Sequence, residues 1–437
     1  MLIEFTVGNF KSFRDRTTFS MIAANLTSDD PALDRDNVVP MKKDLRLLKS
    51  AAVYGANASG KSNLGLALKF MRQFVLDSAR EASNPAEGGL EPFLLHLESR
   101  EQPSFFEMIF LTGGRQYRYG FEADRSHVVS EWLFHVPKTK EVALFVREGQ
   151  EIDVRTGLKE GRGLETRTRP AALFLSVTAL FNSPLGQELQ LWFGNLVVTT
   201  GLQDDQHQAF TLRCLQVPNQ KKDILALVKA FDLGIEDLVA LKPTIEDLPH
   251  DMPENAKKQM VATFAERIYA VHYVMGPENR LKPVEIFDLD LQESQGTRKL
   301  IALAGPLHSI LAHGQVMFVD ELDARLHPLM TRRIIEMFHS PLTNPKGAQL
   351  IFATHDTNLL DKSLFRRDQI WFAEKDQQGA THLASLSEYR VRNDAAFEKN
   401  YLEGRYGAIP FLGDLTRLPW AQEQGAAEEA EREPALA

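Results

Sequence analysis

Gly55-Ala56-Asn57-Ala58-Ser59-Gly60-Lys61-Ser62 is the stretch on which the fold turns, with the spacing G-x-x-x-x-G-K-[ST]. A short apolar run, Ala51 to Tyr54, leads directly into it. Behind it Leu64, Ala67, Leu68, Met71 and Val75 recur at helical spacing, until Ser83-Asn84-Pro85 breaks the pattern. Strand, glycine-rich loop and helix together are the context in which this motif holds phosphate. The glycines let the backbone curl so that its N–H groups converge, and the helix N-terminus adds partial positive charge. Lys61 supplies a point charge for the β- and γ-phosphates, and the Ser62 hydroxyl is placed to ligate Mg²⁺. The expected ligand is therefore ATP with Mg²⁺, held by Gly55, Asn57, Gly60, Lys61 and Ser62.

Working outward, the second half of the chain repeats the same core style. Val316-Met317-Phe318-Val319, Leu350-Ile351-Phe352-Ala353 and Ile370-Trp371-Phe372-Ala373 are short continuous apolar runs. Such runs suit central parallel strands covered on both faces, so the fold class is α/β. The first runs into Asp320-Glu321, the form of a Walker B strand. Two adjacent carboxylates can divide the work there: Asp320 as a metal ligand beside Ser62, Glu321 as the group that polarises the attacking water. His355 follows the second run. The end of a parallel strand is the ligand side of an open α/β sheet, where His355 could hydrogen-bond a γ-phosphate.

The remaining segments carry less chemistry. Leu2 to Val7 alternates like a strand, and Phe13 to Ile22 continues in that style. Residues 25–49 are polar and Asp-rich and predict a loop. Residues 90–150 alternate around Gly113-Gly114 and predict an antiparallel meander. Residues 150–170 predict an exposed loop, and 171–280 a mostly helical region in which Ile224, Val228, Leu238 and Val239 mark apolar faces. The division expected is an N-terminal ATPase part at 1–84, an inserted meander and helical lobe at 85–283, a C-terminal ATPase part at 284–415, and an acidic tail at 416–437. The last 17 residues hold five Glu against one Arg and are expected to be disordered.

Composition narrows the setting. A chain of 437 residues suits two or three domains. A net charge of −9 argues against a protein that grips nucleic acid over its whole surface. The stretch with Arg162, Arg167 and Arg169 is diluted by Glu160 and Glu165 and reads as a solvated loop, so DNA binding stays open. One cysteine, Cys214, excludes an internal disulfide framework. The start lacks the pattern of a signal peptide, and no apolar run approaches the ~20 residues that span a bilayer. A cytoplasmic protein without a membrane segment is expected.

Glu293-Ser294-Gln295-Gly296-Thr297 resembles the signature motif of ABC ATPases, in the S-x-G-T form of chromosome-maintenance, DNA-repair and OLD-type members. Glu321-Leu322-Asp323 resembles the D-loop, Leu326-His327-Pro328 the "LHP" that follows it, and Asn9-Phe10-Lys11-Ser12-Phe13 the N-terminal strand whose basic residue faces the nucleotide. The resemblance covers about 1–80 and 285–410. It implies an ABC-type P-loop ATPase head that closes as a homodimer or higher homo-oligomer. Ser294 and Gly296 of one copy would then complete the nucleotide site of the other, and Asp323 would communicate across the pair. No Q-loop glutamine can be placed after the first helix. Tyr401 to Pro410 resembles the C-terminal element of OLD-like AAA ATPases from bacterial phage-defence operons (abortive infection, PARIS-like), which control a separate toxic effector such as a nuclease.

Other classes fit less well. A chromosome-maintenance or DNA-repair machine acting directly on DNA needs long heptad arms, and the segment between the two halves breaks at Pro243, Pro249 and Pro253. A self-contained OLD nuclease needs a further domain beyond Pro410. A transporter ATPase rarely carries so large an insertion. Asp288-Leu289-Asp290 is expected to be a strand end or turn rather than a metal site.

Overall fold

In the computed structural model, residues 1–410 are described apart from 43, 81–83, 203–204, 243, 246–251, 264–265, 277–280 and 391–394. Strands and helices are numbered in chain order. The expected acidic tail lies outside the described residues. The α/β class is observed, and the apolar runs lie side by side. β5 (Ser50–Tyr54), β11 (Leu196–Thr200), β15 (Val316–Asp320), β16 (Gln349–Ala353), β17 (Ile370–Lys375) and β18 (Thr381–Ser385) form a six-stranded sheet of order β11-β15-β16-β5-β17-β18. Every pairing is parallel except the β17–β18 hairpin.

These strands are continuous apolar runs because both faces are covered. Val53, Phe318 and Ile351 pack with Leu64, Leu68 and Met71 of α2 (Lys61–Asp77). The alternate residues Tyr54, Met317 and Phe352 pack with Leu300 and Leu303 of α8 (Gln295–His313) and Ile334 of α9 (Pro328–His339). α2 is thus buried twice, because a second sheet covers its other side.

That sheet has seven strands: β1 (Leu2–Gly8), β2 (Thr17–Ser20), β6 (Ser104–Thr112), β7 (Arg115–Ala123), β8 (Val128–Val136), β9 (Val142–Glu148) and β10 (Glu151–Val154), in the order β10-β9-β8-β7-β6-β1-β2. The expected meander is present, and it continues the sheet begun by β1. Phe70 of α2 stacks on Phe74 and meets Phe106 at 5.0 Å, while Phe106 meets Phe121 at 5.3 Å. Aromatic contact of this kind fastens the helix behind the P-loop to the meander.

Two expectations need correction, and a third, the mostly helical region 171–280, holds with strands added to it. Residues 25–49 include a capped helix and a hairpin: α1 (Pro31–Asp36), with Asp30 accepting from the Ala32 amide, then β3 (Val38–Pro40) and β4 (Arg46–Leu48). Residues 150–170 include β10 and two short 3₁₀ turns that bury Leu158. The region 171–280 holds helices α3 (Phe174–Leu180), α4 (Pro184–Gly194), α5 (Asp205–Leu215), α6 (Pro218–Ala230) and α7 (Glu254–Thr263), but also β11 and β12 (Asp237–Leu241) with β13 (Arg267–Met275). Leu238 and Val239, read as a helical face, lie on β12. β12 and β13 join β14 (Leu281–Asp288) in a three-stranded antiparallel sheet. Runs of four or five apolar residues carry no reliable period, so tertiary pairing decides them. Asp288 ends β14 as expected, and its carboxylate accepts the Asp290 and Leu291 amides in a turn.

The C-terminal aromatic stretch packs on the core around α10 (Phe397–Leu402). Tyr401 and Tyr406 stack on Phe372 at 5.4 and 5.3 Å, and Tyr401 lies 6.0 Å from Tyr54. No helix among the described residues is long and apolar enough to cross a membrane.

Buried amides tie the segments at the foot of the parallel sheet. Gln349 accepts from the Leu2 amide at 2.6 Å and donates to the carbonyls of Leu2 and Leu48, each at 3.0 Å. Gln369 donates to Ser50, whose hydroxyl lies 2.7 Å from His339 Nε2. Complete burial holds the His339 imidazole neutral, with its pKa down at about 3, and the neighbouring Lys49 charge adds to that. Gln349→Leu keeps the volume but strands three backbone groups, and a stranded buried group costs roughly 1–3 kcal/mol. The variant is expected to melt several degrees lower by calorimetry; an unchanged midpoint would show that Gln349 does not hold the two sheets together.

Candidate nucleotide site

The C-terminal end of β5 opens between β16 and β17, and the chain turns outward at Gly55. The loop reaches α2 through Ala58 and Gly60, both at positive φ (63° and 104°). Gly60 is required twice over: its φ is left-handed, and a Cβ would sit 2.1 Å from Thr381 Oγ1 and 2.8 Å from Ser12 Oγ. Those two residues brace the loop. The Thr381 hydroxyl donates to the Ser59 carbonyl at 2.8 Å and lies 2.8 Å from Ser12 Oγ, while the Thr381 amide donates to the Ser12 carbonyl at 2.7 Å. Asn63, in the first turn of α2, donates to Ser12 Oγ at 2.6 Å. Lys11, which the resemblance points at the nucleotide, is paired with Glu91 at 2.7 Å; its neighbour Ser12 makes the contact with the loop region.

Lys61 is buried at 5% exposure and folds back on the loop, donating to the carbonyls of Gly55 at 2.8 Å and Ala56 at 3.0 Å. Burial pulls its pKa down to about 8, against the opposing pull of Asp320, Glu321 and Asp323. His355 lies within the same field: partial burial and the Lys61 charge hold its imidazole below the ordinary histidine range, while Asp323, Glu321 and Asp320 oppose that shift. The structure therefore brings Lys61, Asp320, Glu321, Asp323 and His355 together at one end of the sheet. Ser62 and Asp320 line one cavity, together with Thr200 and Gln206. Asn57 stands exposed on the loop.

Two of the carboxylates each hold one oxygen without a partner. Asp320 Oδ1, Asp323 Oδ1 and Ser59 Oγ are buried atoms with no hydrogen bond among the described residues. Buried polar oxygens are almost always satisfied, so these point to a missing cationic or donor group. Glu321, directly after Asp320, has φ +56°, an uncommon conformation for a residue with a side chain. Strain of this kind persists only where the surroundings impose it, and it concentrates at functional sites. A buried ammonium beside orphaned carboxylate oxygens and a serine hydroxyl fits a divalent cation and a phosphate. Asp320 and Ser62 would hold the cation and Lys61 the anion.

Among the described residues, Ser294 and Gly296 share no hydrogen bond with this group. Ser294 caps α8, accepting from the Thr297 amide at 3.1 Å with its hydroxyl 2.8 Å from that of Thr297, and it is exposed. Gly296 lies against the Arg325 carbonyl. Lys299, one turn on and fully buried, donates to the carbonyls of Gly201 at 2.9 Å and Ala324 at 2.6 Å. That amine joins the signature helix, the loop after β11 and the loop after Asp320. Gly201 in turn sits where a Cβ would be 2.0 Å from the Glu321 carbonyl.

Sequence reasoning missed Ser12, Thr381, Thr200 and Lys299. Only pairing across the fold reveals them: β11 runs parallel to β15 with Thr200 opposite Asp320. The chain therefore has a polar segment after a strand beside Asp320, far in sequence from the stretch that follows α2.

A family model described as an AAA domain, putative AbiEii toxin of a type IV TA system, matches residues 50–361. No curated protein matches the chain. Among solved structures the chain is similar to an SMC head domain from Thermotoga maritima at 14% identity and TM-score 0.40, covering 88% of this chain and 98% of that one. It is also similar to an SMC head bound to the C-terminal winged-helix domain of ScpA, at 14% identity and TM-score 0.42, covering 88% and 97%.

The depressed Lys61 value has a measurable consequence. With its pKa drawn down to about 8, the ammonium is half deprotonated at that pH and mostly deprotonated a unit above it. Affinity for Mg-ATP is expected to hold steady below about pH 8 and then fall, approaching about tenfold per pH unit, while binding takes up a proton. Calorimetry in buffers of different ionisation enthalpy measures that uptake. Affinity that rises between pH 8 and 9.5 would remove Lys61 from the phosphate site.

Proposed function

This chain belongs to the AAA-domain family whose model spans residues 50–361, an ATPase of AAA/ABC-like kind, and we propose that it hydrolyses ATP at sites shared between two copies. The observation that carries this reading is a crowded group of charges at the P-loop together with a Ser294 that is exposed and shares no hydrogen bond with it. Lys61, Asp320, Glu321 and His355 converge at the P-loop, and Ser294 is an exposed helix cap whose hydrogen bonds run to Thr297. A second copy, placed head to tail, would bring its Ser294 and Gly296 to the γ-phosphate.

In this reading the loop amides and Lys61 hold the β- and γ-phosphates. Mg²⁺, when bound through Ser62 and Asp320, neutralises charge on the phosphate oxygens. Glu321 orients the attacking water and takes its proton. His355, its imidazole held below the ordinary histidine range by partial burial and the Lys61 charge, hydrogen-bonds the γ-phosphate. Asp323, with an unpaired buried oxygen, is the group that would register the partner.

The biological setting proposed is bacterial anti-phage defence, with this chain as the sensor or regulatory subunit controlling a separate toxic effector. Two strands support it: the family description names a toxin system, and the motifs resemble those of OLD-like defence ATPases. A cytoplasmic setting accords with both.

Glu321→Gln is expected to bind Mg-ATP normally and hydrolyse it roughly 10²–10⁴-fold more slowly. Turnover within a few-fold of the parent would move the base elsewhere. The shared site has its own test. Lys61→Ala and Ser294→Ala should each be inactive alone, yet mixing them should restore turnover, because one of the two sites in a mixed dimer collects both lesions and the other is intact. Unchanged ATP-driven dimerisation together with unchanged turnover of Ser294→Ala would show that Ser294 does not complete the partner's site.

A further inference from the structure

β11 is the outermost strand of the parallel sheet, and among the described residues no strand pairs with its outer side. Its sequence is Leu-Val-Val-Thr-Thr. Natural proteins guard an open edge with a lysine, a proline, a bulge or an inward charge. β11 has none of these, and its composition favours pairing strongly.

A groove of about 1000 Å³ follows this edge and ends at Ser62 and Asp320. All five residues of β11 line it, with α2 on one face and α5 and α8 on the other. Lys69 and Arg72 of α2 and Arg213 of α5 stand along it, and Asp320 at its far end is the one carboxylate in its lining. Arg72 is incompletely used: one guanidinium nitrogen donates to the Gly194 carbonyl at 3.3 Å, and its buried Nε has no hydrogen-bond partner among the described residues.

We propose that β11 is a docking edge for an extended, acidic segment of a partner polypeptide, which adds a strand to the parallel sheet between Lys69 and Arg72 on one side and Arg213 on the other. The strand edge carries alternating N–H donors and C=O acceptors. An extended polypeptide answers both, whereas a phosphodiester chain offers acceptors only. Main-chain bonds supply affinity in such additions, and side chains on alternate positions supply selectivity. The three cations select carboxylates and disfavour basic segments. Because the register sets Thr200 opposite Asp320, an added strand stiffens the strand beside the metal-ligand position. Its affinity and that of Mg-ATP are then linked reciprocally. This linkage rests on the proposed roles of Ser62 and Asp320; the docking does not.

The test selects short peptides from two random libraries against the full chain. Both mix Val, Thr, Ile and Tyr; one adds Asp and Glu, the other Lys and Arg. The acidic library is expected to enrich, and bound peptides should slow hydrogen exchange at the amides of residues 196–200. N-methylation of alternate peptide amides should abolish binding. Lys69→Glu combined with Arg213→Glu, both exposed positions outside the nucleotide site, should weaken acidic peptides roughly tenfold. Binding of the basic counterparts by that variant would show that its groove is still formed. The proposal is overturned by equal enrichment of both libraries, protection away from β11, indifference to N-methylation or to the charge reversal, or a single-stranded oligonucleotide that gives the same footprint. Peptide binding without any effect of Mg-ATP would retire the linkage and leave the docking edge standing.

Discussion

A P-loop can present its amides to phosphate only if the strand feeding it is immobile, and β5 is immobilised on every side. It is hydrogen-bonded to β16 on one edge and β17 on the other, and its five residues are buried. Most of the architecture follows from supplying those neighbours. The strands come from residues some 300 positions downstream in the chain, at Gln349–Ala353 and Ile370–Lys375. The helices on both faces then have to satisfy a strand that is apolar throughout. Where the strand begins, the lining is instead polar and fully paired: Gln349, Gln369, Ser50 and His339 answer one another and the backbone. A polar knot at one end and an open end at the other give the sheet a direction.

At the open end the logic reverses. Lys61 is buried with its ammonium resting on two carbonyls, and carboxylate oxygens of Asp320 and Asp323 are buried with nothing to accept from. Unsatisfied buried groups cost stability, as does a left-handed Glu321, which takes on the order of 1 kcal/mol. Neither would persist in a region whose only task was to fold. The packing that tolerates them is the double burial of α2, whose aromatic face meets the meander while its aliphatic face meets the parallel sheet. Stability gathered there is spent at the loop.

The parts legible in sequence were those whose signal is local. Glycines at 55 and 60, an apolar run before them and a periodic helix behind them lie within one short window, so chemistry and fold could be read together. The same holds for Asp320-Glu321 at the end of its run, and for the meander around Gly113-Gly114. What escaped reading depends on distant pairing. β11 is a short stretch with no period of its own; only its place beside β15 makes it part of the core and of the site. Ser12 and Thr381 are unremarkable residues until the fold sets their hydroxyls 2.8 Å apart, 369 positions removed in sequence. Residues 25–49 predict a loop because their elements are too short to show a period, although Asp30 before Pro31 is a legible helix start.

The bracing of Gly60 by Thr381 sets an order of events during synthesis. Residues 55–62 leave the ribosome early, but the threonine hydroxyl that holds the Ser59 carbonyl is encoded 322 positions later. Strands β16 and β17, which clamp β5, also arrive late. A nascent chain stalled before residue 381 has the P-loop sequence without the structure that shapes it, and contacts closed over so long a loop form slowly. Nucleotide binding should therefore appear only once residue 381 has been made, and chains stopped before it should be inert toward ATP. Competence for ATP then serves as a record that synthesis has passed β18.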